Sequence, residues 1–291
     1  MLFEGLEHIV REQEPMARYT WFRLGGAAEY FAEPTNRTEL LQIIEICRTE
    51  DIPIRMLGGG SKVLVRDEGV PGVVVRLSAP AFCEITVNDA QITAGGGARL
   101  GHLVSTAVRD GLSGLEQLVG IPGTVGGAVR GNVGANHGDI GQYTIQVEVL
   151  TRAGDIKTRD RSELRFAYRK TNIDELVLLS ATFALEREEP HALAKRMQKL
   201  WILQKAAQPD GNFGMGAIFK DSGGSTAASL IEQAGLKGTR VGDAKVNDRH
   251  PNFIEVHPGA SAQDVIRLID LLRTRVFEQL GVELEQDVEI W

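Results

Sequence analysis

The chain has 291 residues, of which 43% are hydrophobic and 24% charged, and its formal net charge at pH 7 is -7. This length predicts two or three structural units with a substantial core. The acidic balance argues against a nucleic-acid binder with a basic surface, and no apolar run approaches the roughly 20 residues that span a bilayer. We therefore expect an ordinary globular protein in which any phosphate site is local.

The N-terminal segment and the cysteines indicate the compartment. Residues 1–20 carry acidic side chains within their apolar stretch, which fits neither a signal peptide nor a transit peptide. Cys47 and Cys83 stand in apolar surroundings and are too far apart for a Cys-x-x-Cys motif. We interpret them as reduced, buried thiols, and we expect a cytoplasmic protein that binds neither a membrane nor nucleic acid.

The first quarter of the chain reads as a compact α/β unit. Residues 27–33 have a strand pattern, and Asn36 and Glu39 have the spacing of a capping box at the start of a helix. Apolar residues follow at helical spacing, namely Leu40, Ile43, Ile44 and Cys47. Residues 52–77 then predict strand, glycine loop, strand, turn and strand.

The middle of the chain reads as an α+β sheet domain. Between residues 84 and 186 several segments alternate apolar and polar side chains as strands do, and a helix is predicted near 99–110. Residues 191–208 have the pattern of a connecting helix. Pro209-Asp210-Gly211 marks a boundary into a third unit.

The third unit contains a strongly amphipathic helix, predicted over 261–281. Ser261 and Asp264 have capping-box spacing at its start, and Gly281 stands at its end. Residues 282–291 are predicted to form a closing strand with Asp287 on the face opposite the apolar residues.

Three glycine-rich loops are candidates for a ligand site. The loop at 58–62 follows a strand and could turn its amide groups toward a phosphate, but a glycine-rich hairpin turn explains it equally well. It has the spacing of neither a P-loop nor a Rossmann dinucleotide motif. The loop at 94–101 is interpreted as a strand-to-helix turn.

The third loop, GIPGTVGGAVRGNVGA at 120–135, is too long and too uncharged for a simple turn. Its glycines leave room for a large flat group close to the backbone. A pyrophosphate-bearing cofactor that contacts both 58–62 and 120–135 would explain the two loops with one ligand.

Seven motifs along the chain resemble those of one enzyme family. In order they are RYTWFRLGGAAEYF, LGGGSKVLVRD, LVGIPGTVGGAVRGNVGA, FAYRKT, GAIFKD, AGLKGTRVGDAKVNDRHPNFI and GVELEQDVEIW. Their order and approximate spacing are similar to those of the UDP-N-acetylenolpyruvoylglucosamine reductases, the bacterial cell-wall flavoenzymes also called UDP-N-acetylmuramate dehydrogenases. The compact third unit resembles the shorter type of this family.

The resemblance implies an α+β fold that also contains mixed α/β segments. A two-subdomain FAD-binding region, of the PCMH and vanillyl-alcohol-oxidase-like type, would precede a C-terminal α+β substrate domain. The implied boundaries are an N-terminal segment at 1–16, an FAD-binding region at 17–188 with subdomains at about 17–78 and 79–188, a connecting helix at 189–208 and a substrate domain at 209–291.

The resemblance also implies a reaction. In such enzymes NADPH reduces FAD and leaves, the enolpyruvyl ether of a UDP-sugar takes its place, and hydride passes to the terminal vinyl carbon. Protonation of the adjacent carbon then gives the lactyl ether, UDP-N-acetylmuramate. Negative charge builds up on the substrate carboxylate, which calls for a fixed cation, a hydrogen-bonding acid and a proton donor.

The resemblance assigns roles to residues of this chain. Arg169 matches the cation, Asp287 falls where the family usually has glutamate, and Ala217 occupies the position of the proton donor. The implied FAD-binding residues are Arg23, Gly25, Gly26, Gly58, Gly59, Gly60, Ser61, Lys62, Leu64, Ile121, Pro122, Gly123, Thr124, Gly126, Gly127, Ala128, Asn132 and Gly134. The implied substrate residues are Tyr168, Arg169, Lys220, Lys237, His250 and Asn252.

Two of the three catalytic positions depart from the family pattern. The family has serine or cysteine where this chain has Ala217, and alanine cannot donate a proton. The site could therefore be slow, use an ordered water, or recruit a nearby hydroxyl such as Ser222 or Ser225. Asp287 is one methylene shorter than glutamate, and Asp221 and Ser222 replace an expected Asn-Pro.

These observations leave more than one functional hypothesis. The first is an FAD- and NADPH-dependent reductase of the enolpyruvyl UDP-sugar, expected as a monomer without a catalytic metal. The second is a homologue that binds FAD and a UDP-sugar but turns over poorly. A weaker third is an oxidase with the same flavin fold. Cations concentrated in the third unit suit an anionic UDP-sugar, namely Lys220, Lys237, Arg240, Lys245 and Arg249.

Overall fold

The computed structural model describes residues 2–135, 138–206, 208, 214–221 and 224–291. The predicted boundary at Pro209-Asp210-Gly211 and the candidate hydroxyl of Ser222 lie outside the described residues. The chain divides into two compact units. Unit 1 comprises Met1–Glu12, Tyr30–Gly59 and Gly72–Lys205, and unit 2 comprises Gln13–Glu29, Gly60–Pro71 and Ala206–Trp291.

The described residues form both helices and strands, and several strands follow one another directly in the chain. The helices are α1 (Arg37–Thr49), α2 (Leu100–Arg109), α3 (Val125–Arg130), α4 (Pro190–Ala206), α5 (Ala227–Gln233) and α6 (Ala262–Leu280). The strands are β1 (Val10–Pro15), β2 (Ala27–Ala32), β3 (Ile54–Leu57), β4 (Val63–Leu64), β5 (Val70–Arg76), β6 (Ile85–Asn88), β7 (Gln91–Gly95), β8 (Leu112–Ser113), β9 (Gly134–Ala135), β10 (Gly138–Asp139), β11 (Thr144–Leu150), β12 (Ile156–Asp160), β13 (Phe166–Ala167), β14 (Lys170–Thr171), β15 (Val177–Ala184), β16 (Glu186–Arg187), β17 (Gly214–Ala217), β18 (Arg240–Val241), β19 (Ala244–Val246), β20 (Phe253–Val256) and β21 (Glu289–Ile290).

The first sheet has the order β1-β2-β5-β3, and β3 pairs in parallel with β5. The predicted strand, helix, strand, glycine loop and strand of this region are confirmed. Asn36 caps α1 by accepting the Glu39 N–H, but the Glu39 carboxylate accepts from Thr35 instead of completing a capping box. The predicted apolar face of α1 is buried, including Cys47.

Both cysteines are free thiols, as the sequence predicts. Cys47 is buried, and this burial raises the pKa of its thiol to about 11. Cys83 is only partly buried, so the expectation of two fully buried thiols was wrong for this residue. Its side chain packs against the core from outside, directly after the short turn at Pro80–Phe82 in which Phe82 is the buried residue.

The second sheet of unit 1 is antiparallel, with the order β12-β11-β15-β7-β6. It confirms the strands predicted between residues 84 and 186. Helix α2 covers Leu100–Arg109 of the predicted 99–110 and buries Leu100, Leu103, Val104 and Ala107 in the core that also contains β7, β11 and β15. Helix α4 covers most of the predicted connecting helix.

Unit 2 combines the sheet β17-β20-β19-β18 with α5 and α6. The apolar faces of both helices share one core with residues of β19 and β20. The predicted ten-residue closing strand was wrong: only Glu289–Ile290 is a strand, parallel to β4. The backbone changes partners here, because Asp287 N–H donates to the Ile218 carbonyl while Glu289 N–H donates to the Lys62 carbonyl.

The capping box predicted for α6 is confirmed. Ser261 accepts the Asp264 N–H, the Asp264 carboxylate accepts the Ser261 N–H, and Gly281 ends the helix in the left-handed conformation. The Asp67 carboxylate adds two further caps, since it accepts the N–H groups of Ala262 and Gln263 at 2.9 and 3.0 Å. The first turn of α6 therefore has three of its amide groups satisfied by side chains.

Ser261→Ala removes one of these caps and is expected to destabilise unit 2 by about 1 kcal/mol, because the Asp264 amide loses its acceptor. Urea unfolding followed by circular dichroism measures the loss. Ser261→Asp retains a side-chain acceptor and should unfold within about 0.5 kcal/mol of the parent protein. Equal losses in both variants would contradict the capping role.

No helix within the described ranges is both long and apolar enough to cross a membrane.

Candidate functional site

Two glycine segments lie against each other in unit 1. A Cβ atom added to Gly59 would lie 2.7 Å from Gly123 Cα, and one added to Gly58 would lie 2.8 Å from Thr124 Oγ1. Both distances are shorter than real Cβ contacts allow, so the segments can approach this closely only because neither position has a side chain. The glycines at 58–59 and the loop at 120–135 are therefore adjacent, which is the arrangement that a single shared ligand requires.

Helix α3 holds the second of these segments in place. Thr124 caps the helix by accepting the Gly127 N–H at 3.4 Å. Gly126 N–H donates to the Gly96 carbonyl at 2.8 Å, and an added Cβ at Gly126 would lie 3.0 Å from that oxygen. The loop at 94–101 is thus the predicted strand-to-helix turn. It packs against the loop at 120–135 through the contact between Gly96 and Gly126. Ala128 is buried in the core, so its side chain serves packing.

The Tyr168-Arg169 pair forms the two-residue turn of the β13–β14 hairpin. Arg169 has a φ of +54°, a conformation that is costly for a residue with a Cβ atom. Its guanidinium carbon lies 5.7 Å from the centre of the Tyr168 ring, which is 57% exposed. The turn therefore presents an aromatic ring and a cation together.

This hairpin is tied to the glycine-rich loop by both of its strands. Asn132 Nδ2 donates to the Ala167 carbonyl at 2.8 Å, and Thr171 Oγ1 donates to the Arg130 carbonyl at 3.0 Å. Asn132 is only 1% exposed, and its Oδ1 also accepts the Gly141 N–H. Asn132 thus positions the turn that carries Arg169, a link that its spacing in the sequence does not reveal.

Several other predicted cofactor residues belong to unit 2. Gly25 and Gly26 lie against the backbone of residues 65–69, where added Cβ atoms would come within 2.5 Å of Val65 and 2.4 Å of the Asp67 carbonyl. Gly60 has a φ of +67° and lies against the Tyr19 carbonyl. Leu64 is completely buried in the core. Close backbone packing accounts for these glycines; ligand contacts by them stay a prediction.

Lys62, Asp287 and Ala217 meet within unit 2. Lys62 Nζ donates to Asp287 Oδ2 at 2.5 Å and to the Ala217 carbonyl at 3.2 Å. The Asp287 side chain is 15% exposed, whereas Glu283 and Glu285 nearby in the chain are well exposed. Asp287 is thus less exposed than these two glutamates, and its catalytic role stays a prediction. Sequence reasoning missed its pairing with Lys62, because 225 residues separate them.

The predicted substrate residues of unit 2 have protein partners. Asn252 clamps the backbone of Phe219, with Nδ2 donating to its carbonyl and Oδ1 accepting its N–H. Lys220 Nζ lies 2.6 Å from Glu285 Oε1, and Lys237 forms an ion pair with Glu232. The His250 ring packs edge-on against Phe253. Asn252 therefore fixes the segment that leads from β17 to Lys220.

Known proteins resemble the chain over nearly its whole length. The model described as "FAD binding domain" matches residues 28–159, and that described as "UDP-N-acetylenolpyruvoylglucosamine reductase, C-terminal domain" matches residues 208–291. A relative from Rhodopirellula baltica named UDP-N-acetylenolpyruvoylglucosamine reductase is 38% identical over 288 residues, which cover 99% of this chain and 94% of the relative.

Solved structures agree. The UDP-N-acetylenolpyruvylglucosamine reductase of Thermus caldophilus superimposes with a TM-score of 0.82 at 36% identity, covering 97% of this chain and 99% of that one. A variant of Phl p 4, a glucose oxidase, shares the fold alone, with a TM-score of 0.50 at 14% identity over 65% of this chain and 45% of that one. The predicted α+β fold with an FAD-binding region is confirmed. The chain belongs to the UDP-N-acetylenolpyruvoylglucosamine reductase family.

Proposed function

We propose that this protein is an FAD-dependent oxidoreductase that reduces UDP-N-acetylenolpyruvoylglucosamine to UDP-N-acetylmuramate with NADPH, in the synthesis of peptidoglycan precursors. The observation that carries the proposal is the family likeness over 99% of the chain, in both the FAD-binding and the C-terminal part. We further propose that the protein acts as a monomer in the cytoplasm and binds neither nucleic acid nor membranes.

Gly58, Gly59, Gly123 and Thr124 form a site that we call the glycine cradle, and this site fits the cofactor. Gly58 and Gly59 lie against Gly123 and Thr124 with no room for a Cβ atom, which brings the two glycine-rich segments together. Amide groups of two such segments can bind the pyrophosphate of one dinucleotide. FAD bound there would supply the hydride that reduces the vinyl group of the substrate. The residues of this chain then have to bind the substrate, stabilise the charge that develops on its carboxylate and deliver a proton to the adjacent carbon.

We assign the stabilisation of the carboxylate to Arg169. A guanidinium stays charged and can bind both carboxylate oxygens through parallel N–H bonds. Its strained backbone supports this role, because a turn chosen for stability alone would carry glycine or asparagine there. Tyr168, Lys220, Lys237, His250 and Asn252 stay the proposed substrate residues, and Asp287 stays a proposed catalytic residue at the position of the family glutamate.

We also propose the division into an N-terminal segment at 1–16, an FAD-binding region at 17–188 with its subdomains, a connecting helix at 189–208 and a substrate domain at 209–291. The family matches at 28–159 and 208–291 support the two large parts. Residues 17–29 and 60–71 stay assigned to the FAD-binding region in this proposal, although they cluster with unit 2.

The test is NADPH oxidation by the purified, flavin-loaded protein. We expect oxidation that depends on the enolpyruvyl UDP-sugar and yields the lactyl ether in equal amounts, measured by absorbance at 340 nm and mass spectrometry. Flavin reduction without reoxidation by this substrate would support the silent homologue. Hydrogen peroxide formed from oxygen and a sugar without NADPH would support an oxidase.

A further inference from the structure

The Lys62 ammonium group is held at the two catalytic positions of unit 2. Its Nζ atom lies 2.5 Å from Asp287 Oδ2 and 3.2 Å from the Ala217 carbonyl oxygen. The backbone of Lys62 is fixed as well, because its carbonyl accepts the Glu289 N–H at 2.8 Å where β4 and β21 pair. Backbone pairing and these two contacts thus hold the ammonium group beside the Asp287 carboxylate and the backbone of Ala217.

The two partners differ in their access to water. The Asp287 side chain is 15% exposed, whereas that of Lys62 is 43% exposed. The Lys62 side chain therefore contacts solvent and can exchange protons with it, while Asp287 lies on its less exposed side. An ion pair of this exposure contributes about 1 kcal/mol or less to stability. Substitution of Lys62 should consequently leave the fold intact.

The reaction under Proposed function needs a proton that Ala217 cannot supply. Addition of a hydride to the terminal vinyl carbon leaves a pair of electrons that must take up a proton at the carbon bearing the ether oxygen and the carboxylate. An alkylammonium ion is a stronger acid than the hydroxyl of a serine. The Lys62 ammonium group, beside Asp287 and the backbone of Ala217, is therefore acidic enough for the step in which the family uses a hydroxyl or thiol.

We propose that Lys62 is the proton donor of this enzyme, with Asp287 as the residue that positions it. The N–H bond of Nζ breaks as the C–H bond forms on the substrate, and its electron pair stays on nitrogen. The resulting neutral amine takes a proton from water on its exposed side before the next turnover. This inference rests on the proposed function, and it assigns Lys62 to the substrate reaction in place of a phosphate contact.

The test separates the two half-reactions in Lys62→Ala and Lys62→Arg, with Lys157→Ala on the exposed strand β12 as the control. Arginine keeps the positive charge but does not release a proton. In anaerobic stopped-flow experiments we expect flavin reduction by NADPH to stay within twofold of the parent rate in all three variants. Reoxidation by the enolpyruvyl UDP-sugar should fall about 10²- to 10⁴-fold in both Lys62 variants and stay unchanged in the control.

Two further readouts distinguish proton donation from binding. Flavin content by absorbance and the Kd of UDP-N-acetylmuramate by calorimetry should be unchanged in Lys62→Arg. Ethylamine added to Lys62→Ala should accelerate reoxidation, and so should the second substitution Ala217→Ser, which supplies the hydroxyl that this chain lacks. Ethylamine and the serine hydroxyl each supply a proton donor without restoring the lysine side chain. Rescue by either one therefore indicates that the variant lacks a proton donor.

The possible outcomes are distinct. If the flavin of Lys62→Arg is reoxidised at the parent rate, the proposal is overturned. It is also overturned if the reoxidation rate falls only in proportion to a loss of bound flavin or of affinity for UDP-N-acetylmuramate. Abolished reoxidation in Ser225→Ala, with Lys62→Ala active, would assign the proton to that hydroxyl instead. If the parent protein itself is not reoxidised by the enolpyruvyl UDP-sugar, the proposed function fails, and this result is seen before any variant is compared.

Discussion

Gly59→Ala is expected to yield a folded protein that binds FAD more weakly than the parent protein. The added Cβ would lie 2.7 Å from Gly123 Cα. Its nearest neighbours are all backbone atoms of Gly123, so no flexible side chain can move away to make room. Overpacking of this kind costs about 1–3 kcal/mol, which corresponds to a roughly 5- to 150-fold weaker Kd for FAD if the strain is released by opening the cradle. Titration of the apoprotein with FAD, followed by flavin fluorescence, measures this change.

The matched control is Gly101→Ala in helix α2. An added Cβ at Gly101 meets nothing within 4 Å, and alanine favours a helix by about 1 kcal/mol over glycine. We expect Gly101→Ala to bind FAD as tightly as the parent protein and to unfold at the same or a slightly higher temperature. An unchanged Kd in Gly59→Ala would show that the segments at 58–59 and 123–124 do not form the flavin site.

Arg169→Gly is expected to lower the rate of substrate reduction about 10²- to 10³-fold while leaving flavin reduction by NADPH unchanged. The guanidinium is assigned to the charge that develops on the substrate carboxylate, so its loss acts on the second half-reaction. Glycine removes the strain of a φ of +54°, so the thermal midpoint should stay equal or rise. Stopped-flow absorbance and a thermal unfolding curve measure the two effects in the same preparation.

Lys170→Ala provides the control for Arg169 because it removes a positive charge from the same hairpin one residue later. We expect this variant to retain the parent rate in both half-reactions. Arg169→Lys should recover little of the lost rate, since a lysine cannot bind both carboxylate oxygens through a planar fork. Full activity in Arg169→Lys would reduce the role of Arg169 to that of a general positive charge.

Local features of the fold followed directly from the sequence. The capping box of α6, its glycine end and the buried face of α1 were predicted from spacing alone, because they depend on residues close in the sequence. The closing strand shows the limit of such reasoning. Its alternating pattern is real, but its backbone hydrogen bonds change from Ile218 to Lys62, and no pattern within residues 282–291 records that change of partner.

By itself, the sequence determined the family and the α+β class, since ordered motifs over the whole chain identify an ancestor whose fold is shared. It also located the glycine loops, because the lack of side chains can be read directly. Only the tertiary structure decided that Asn132 anchors the hairpin of Arg169 and that Lys62 faces Asp287 and Ala217. These contacts join residues 35 to 225 positions apart, and the folding of the backbone, not local periodicity, determines which distant side chains meet.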